Sequence, residues 1–191
     1  MNFVSENTAP VSDADLASAA KALGCKIQDI KAVDRVEAPA GAFLADGRPT
    51  LLYESHPFHV QTKGRYDCYP DLSTPSWVRN YGAAGAHQYD RLNKAILLDR
   101  EAALKSASWG MFQIMGSNFA EAGYDSVDAF VEDMVTSAGY QLDAFVAFLQ
   151  NTGADKFLDA EDWTDFARSY NGPGQVGVYA ARIEAARLKI A

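Results

Sequence analysis

Ala32-Val33-Asp34-Arg35-Val36-Glu37-Ala38-Pro39-Ala40-Gly41 decides how the chain is read, because an apolar helical stripe ends there on an acid. Ile27, Ile30, Val33 and Val36 recur at a spacing of three, as one face of a helix does. Pro39 and Gly41 then break the stripe. Upstream, Ser12 precedes Asp13-Ala14-Asp15, a cap with an acid three residues on, and predicts a helix over 13–23 that stops near Gly24. Residues 1–11 read as a short tail, and residues 12–191 as a single domain.

Downstream, Ala42-Phe43-Leu44 and Pro49-Thr50-Leu51-Leu52-Tyr53-Glu54 flank Ala45-Asp46-Gly47-Arg48. Asp-Gly between two apolar runs predicts a β-hairpin. Residues 55–86, rich in Pro, Gly, Tyr and Ser, read as a long irregular excursion, and such loops are often functional. Helices are predicted near 87–98, 100–106, 109–115, 117–122, 126–136, 138–150, 162–169 and 175–189. The outline is an α+β fold, mainly α: a helical bundle with a small β-hairpin lobe.

Composition bounds the function. Of 191 residues, 48% are hydrophobic and 22% charged, which is ordinary for a globular protein. No apolar run approaches the ~20 residues that span a bilayer. Met1 to Asn7 lacks a basic region followed by an apolar stretch, so no signal peptide is expected. A net charge of −8 argues against nucleic acid as partner, since phosphate binding needs clustered Lys and Arg. Cys25 and Cys68 are the only cysteines and are expected as reduced thiols.

Five places could carry chemistry. Glu37 ends an apolar helix face, where an apolar setting disfavours the charged carboxylate and raises its pKa. That suits an acid which must keep its proton near neutral pH. Glu54 ends the second hairpin strand and, by alternation, shares a face with Thr50 and Leu52. It reads equally as a second carboxyl across a cleft or as an edge-strand acid bonded locally. In Ser108-Trp109-Gly110-Met111-Phe112-Gln113-Ile114-Met115, Gly110 permits close approach of a backbone or ligand. Gln113 there is an amide that needs partners if buried. Ser169-Tyr170-Asn171-Gly172-Pro173-Gly174 makes a turn between helices, and its aromatic and amide suit a sugar ring and an N-acetyl group. His56-Pro57-Phe58-His59, with Asp67 or Cys68, holds zinc-ligating residue types. Pro57 argues against a helical pair there, so no metal or other cofactor is expected and His56 is read as a loop support or substrate contact.

The order of these blocks resembles a known family. Ala32 to Glu37 is similar to the "A-V-x-x-V-E" helix end that carries the catalytic Glu of goose-type lysozymes and lytic transglycosylases. Gly110 and Gln113 match positions of their "G-L-M-Q" element, and Tyr170 to Gly174, with Tyr179 downstream, is similar to "Y-N-x-G-P" without the residue between Asn and Gly. The match to the N-acetylmuramidase domain of phage endolysins is closer. It rests on Gly41-Ala42-Phe43, Asp46-Gly47-Arg48-Pro49, Leu52-Tyr53-Glu54-Ser55-His56-Pro57-Phe58, Arg91-Leu92, Ser106 to Gly110, and Trp163 to Pro173. Tyr53 replaces the usual Phe, and Ala38 stands where Ser often follows the catalytic Glu.

The resemblance implies a lysozyme-like fold and cleavage of the β-1,4 bond between N-acetylmuramic acid and N-acetylglucosamine. Glu37 and Glu54 would be catalytic, and His56, Ser108, Gln113, Tyr170 and Asn171 would bind substrate. Asp67 and Glu101 remain alternatives to Glu54 as the second carboxylate. It further implies an endolysin made in the host cytoplasm, released by a holin and acting on bacterial peptidoglycan. From the sequence itself no separate wall-binding module and no membrane insertion are expected, and a monomer is expected. The rival readings are a lytic transglycosylase forming 1,6-anhydro-muramic ends, a non-catalytic wall-binding module and a zinc-dependent peptidase or amidase.

Overall fold

The computed structural model describes residues 2–190. Ser12 accepts a hydrogen bond from the Asp15 amide at 3.1 Å and opens α1 (Asp13–Leu23), which stops at Gly24 as the sequence predicts. In α2 (Ile27–Glu37), Ile30 and Val33 are fully buried, and Ile27 and Val36 pack at the margin of the core. Pro39 disfavours helical backbone at Ala38, which takes φ −129° and ψ 72°, and Glu37 is therefore the last helical residue.

The expected hairpin over 42–54 forms only in part. Gly47 donates to the Leu44 carbonyl at 2.9 Å, but Phe43 and Pro49 make a single bridge and no ladder. Pro49 has no N–H with which to extend one. The strand beyond it, β1 (Leu51–Tyr53), pairs antiparallel with β2 (Ala107–Trp109), more than fifty residues away in sequence. β2 pairs in turn with β3 (Ile114–Met115), so the lobe is a three-stranded sheet in the order β1-β2-β3.

Residues 109–115, expected as a helix, thus hold the end of β2, the turn over 110–113 and β3. Gly110 at φ 71° and Gln113 at φ 49° are both left-handed, which no right-handed helix accommodates. A short apolar run carries too little periodicity to separate the two outcomes. The Gly110 turn is seated on the buried Gln141, whose Oε1 accepts the Met111 amide at 2.8 Å while its Nε2 donates to the Met134 carbonyl.

The excursion after β1 holds a helix, α3 (Ser55–Thr62), with Pro57 in its first turn, where the missing N–H costs no hydrogen bond. Pro57 therefore does not exclude the helical histidine pair: His56 and His59 lie on α3 with rings stacked 6.0 Å apart. The helical body follows as α4 (Ala86–Leu98), α5 (Arg100–Lys105), α6 (Val127–Thr136), α7 (Ala138–Thr152), α8 (Asp155–Asp159), α9 (Trp163–Asn171) and α10 (Val176–Arg187). Only a 3-10 turn, Gly116–Asn118, stands where a helix was expected near 117–122, and α8 had no counterpart in the sequence reading. The last helix packs on α9 and α2, and Arg187 meets the buried Asp29 at 2.9 Å.

One core joins these parts. Trp109, Phe112, Phe130, Phe145 and Phe166 are essentially inaccessible, and the Phe112 and Phe145 rings stack with centroids 3.9 Å apart. Phe3, in the segment read as a tail, is buried with its ring 5.4 Å from Tyr89 and 5.8 Å from Trp109. Cys25 and Cys68 are free thiols, and burial pushes that of Cys25 up to about 12. Among the described residues no helix is long and apolar enough to cross a membrane.

Gly116 packs against α5 so closely that a Cβ would lie 2.1 Å from the Leu104 carbonyl oxygen. Backbone on both sides leaves no flexible group to yield. Gly116→Ala is expected to cost roughly 2–3 kcal/mol, read as a fall in the urea midpoint at unchanged slope. A midpoint equal to that of the parent protein would contradict this packing.

Candidate active site

A cleft of about 740 Å³ opens between the sheet, the end of α2, the segment 77–81, and the α9–α10 corner. Strand alternation sorts the sheet's side chains. Leu51 and Trp109 turn into the core, whereas Leu52, Ser108 and Met115, which share one cross-strand row, line the cleft. Glu54, two residues beyond Leu52, lines it too, on the face that alternation predicts. Glu37 enters from the last turn of α2, placed there because the helix cannot continue into Ala38-Pro39.

Glu37 and Glu54 are the only acids among the described residues lining this cleft. Burial raises both carboxyls. Glu54 is carried from 4.5 to about 7 by desolvation, opposed by the Tyr81 hydroxyl. Glu37 is raised by desolvation as well, opposed first by Asn171 and then by the charge of Arg182. Asn171, the last residue of α9, donates from Nδ2 to Glu37 Oε1 at 2.9 Å, while its own Oδ1 is buried without a partner. Tyr179 of α10 lines the cleft within the field of both carboxyls.

The other residues singled out from the sequence fall into two groups. Ser108, Gln113, Tyr170 and Asn171 all line the cleft. Gln113 uses its Nε2 to hold the Gly110 carbonyl at 2.8 Å and the Thr50 carbonyl at 3.3 Å, which ties the β2–β3 turn to the start of β1. Tyr170 donates to the Phe112 carbonyl at 2.6 Å, and its ring stacks 5.3 Å from Phe166 with Phe145 and Phe148 edge-on. That ring is packed by protein, so the residue fixes the α9 end against the turn below it.

His56 is not among the residues lining the cleft. It meets the Thr74 carbonyl at 3.1 Å and lies 6.0 Å from the ring of Trp77, which does line the cleft. Asp67 is held away from the cleft by His59 at 2.9 Å and by the Ser73 hydroxyl, and Glu101 pairs with Lys105 on α5. Neither shares the space of Glu37. Among the described residues no three His, Cys, Asp or Glu side chains are gathered where they could hold a metal ion.

Sequence reading missed Trp77, Arg79 and Tyr81. They sit in a stretch with no helix or strand, where periodicity is silent, and the density of aromatic residues there was the one available signal. A larger cavity, of about 940 Å³, lies under the N-terminal segment. It holds Asp34, carried by burial to about 6, and Asp46, which is paired with Arg48. Neither Glu37 nor Glu54 reaches it.

The family model for N-acetylmuramidase matches residues 26–191. The chain belongs to the N-acetylmuramidase family. The match starts just before α2 and takes in every residue of the cleft. Among solved structures, the crystal structure of Burkholderia AP3 phage endolysin is similar at a TM-score of 0.81 and 37% identity, over 93% of this chain and 69% of that one. No curated protein matches. Membership makes this muramidase domain a peptidoglycan-cleaving enzyme.

Proposed function

We propose that this muramidase hydrolyses the β-1,4 bond between N-acetylmuramic acid and N-acetylglucosamine in peptidoglycan, as a glycoside hydrolase acting by general acid catalysis. The observation that carries the reading is the pair of half-buried carboxyls, Glu37 and Glu54, lining one cleft, both raised by desolvation. Glu37, whose protonated form burial favours, gives its proton to the leaving glycosidic oxygen. Glu54, in its ionised form, takes a proton from the attacking water or steadies the positive charge that develops on the sugar ring. The Asn171 amide orients Glu37. Ser108 and Gln113 offer polar groups to the glycan, with Tyr170 and His56 holding the walls behind them. No cofactor takes part in these steps.

Product analysis tests the reading. Digestion of purified peptidoglycan is expected to release fragments with reducing N-acetylmuramic ends, which borohydride converts to the alditol and mass spectrometry detects. Fragments 18 Da lighter and inert to borohydride would mean attack by the muramyl 6-hydroxyl, and hence a lytic transglycosylase.

One observation favours a second assignment within the same reaction. Glu37 accepts an amide hydrogen and feels Arg182, both of which favour its charged form, while Glu54 is carried to about 7. Exchanged roles would make Glu54 the acid. Azide separates the two by the configuration of the glycosyl azide it forms: in place of a lost base or nucleophile it gives the inverted product, and in place of a lost acid/base group of a retaining enzyme the retained one. Inverted azide from Glu54→Ala supports Glu37 as the acid, and inverted azide from Glu37→Ala reverses the roles.

A further inference from the structure

Arg91 is 4% exposed, yet among the described residues it makes no ion pair. Its four hydrogen bonds all go to backbone carbonyls: two to Asp71, one to Tyr53 at 3.0 Å and one to Tyr81 at 3.2 Å. A buried guanidinium without a carboxylate is costly, and ordinary loop packing does not call for one. Gln88, one turn earlier on α4 and 1% exposed, repeats the pattern. Its Oε1 accepts the Tyr53 amide at 3.0 Å, and its Nε2 donates to the Tyr81 carbonyl at 2.6 Å and the Ala83 carbonyl at 2.8 Å.

The two side chains therefore grip the same two residues. Tyr53 directly precedes Glu54. Tyr81 lines the same cleft as Glu54, and its hydroxyl is the group that opposes the rise of the Glu54 carboxyl. One rigid piece of α4 thus sets the backbone next to Glu54 and that of Tyr81, although Tyr81 itself sits in a stretch with no helix or strand. By contrast, Trp77, four residues earlier in that stretch, is 60% exposed.

We infer that Tyr81 is a positioning residue for Glu54, clamped against it by the buried Gln88–Arg91 frame. The hydroxyl donates to the ionised carboxylate and so favours it, which keeps Glu54 available as a proton acceptor in a cleft that otherwise opposes its charge. The other groups that face Glu54 are Tyr179 from α10, Arg79 beside Tyr81, and Glu37 from α2 with Arg182 behind it. None of these is held by the frame.

The inference rests on Glu54 as the second carboxylate, and a direct titration tests it without relying on turnover. The carboxyl carbon of Glu54 is followed by NMR from pH 4 to 9, assigned by its loss in Glu54→Gln. Tyr81→Phe, which removes one half-exposed hydroxyl, is expected to move the Glu54 midpoint upward. With Glu54 as the base, it also lowers kcat/KM on peptidoglycan about tenfold at pH 6, with recovery by pH 8. Arg91→Lys, which keeps the charge but loses the fork, is expected to shift the midpoint in the same direction with Tyr81 still present. If Arg91→Lys does not fold, Gln88→Met serves in its place. A Glu54 midpoint unchanged in folded Tyr81→Phe overturns the inference, as does a rate lowered by the same factor at every pH. Full activity of Glu54→Gln would instead remove Glu54 from the reaction, and the midpoint in Tyr81→Phe would still decide whether the pair exists.

Discussion

Glu37→Gln is expected to lower the rate of peptidoglycan solubilisation about 10³-fold while the fold stays intact. The leaving sugar oxygen is too basic to depart as an alkoxide, so the bond breaks only as a proton arrives. Glutamine keeps the size of the side chain and its place beside Asn171 but holds no transferable proton. A 10³-fold loss corresponds to about 4 kcal/mol of transition-state stabilisation, within the usual range for a general acid. Turbidity loss on permeabilised cells measures the rate, and circular dichroism and the urea midpoint report the fold. Lysis near the parental rate would remove Glu37 from the chemistry. Collapse of the fold is not expected, because Glu37 is the last residue of α2 and carries none of its packing against the core.

Glu54→Gln is expected to do two opposite things: to abolish lysis and to stabilise the protein above neutral pH. The sign follows from the direction of the shift. A carboxyl raised on folding from 4.5 to about 7 is easily accommodated while protonated, below its unfolded value. Its contribution is lost as pH rises through that window, since the folded state then holds a buried charge. The cost approaches about 3 kcal/mol above pH 7, and the neutral amide does not incur it. Urea unfolding at pH 4.5 and pH 8 measures this: the variant's advantage appears at pH 8 and vanishes at pH 4.5. Equal stability of the two proteins at pH 8 would mean that Glu54 is better solvated than its surroundings indicate. Such a gain from removing one carboxyl of the proposed catalytic pair is what a site kept under electrostatic strain predicts.

Asp34 gives the comparison that separates burial from function. It too is carried up, to about 6, and its Oδ1 has no partner. Yet it faces the larger cavity beneath the N-terminal segment, not the cleft of Glu37 and Glu54. Both Asp34 and Glu37 belong to the last turn of α2, and a perturbed acid alone does not mark a site. What marks Glu37 is a second carboxyl and a set of amides and hydroxyls converging on the same space.

The sequence by itself determined the local features. Ser12 caps α1, Ala38-Pro39 stops α2 on Glu37, and strand alternation puts Glu54 on the face of Leu52. Each follows from steric and hydrogen-bonding rules acting over a few residues, which hold wherever the segment lies. The order of motif blocks added the family. Only the tertiary structure decided that β1 pairs with β2 rather than folding back on residues 42–44, because strand pairing is settled by which partner completes the core, here through Trp109. It alone turned Gly110 to Gln113 into a bend by placing Gln141 beneath it. It brought Tyr81 out of an aperiodic stretch to Glu54, through side chains on α4 that no local pattern links to either residue. And it raised both carboxyls, since desolvation belongs to the closed cleft and not to the residues that form it.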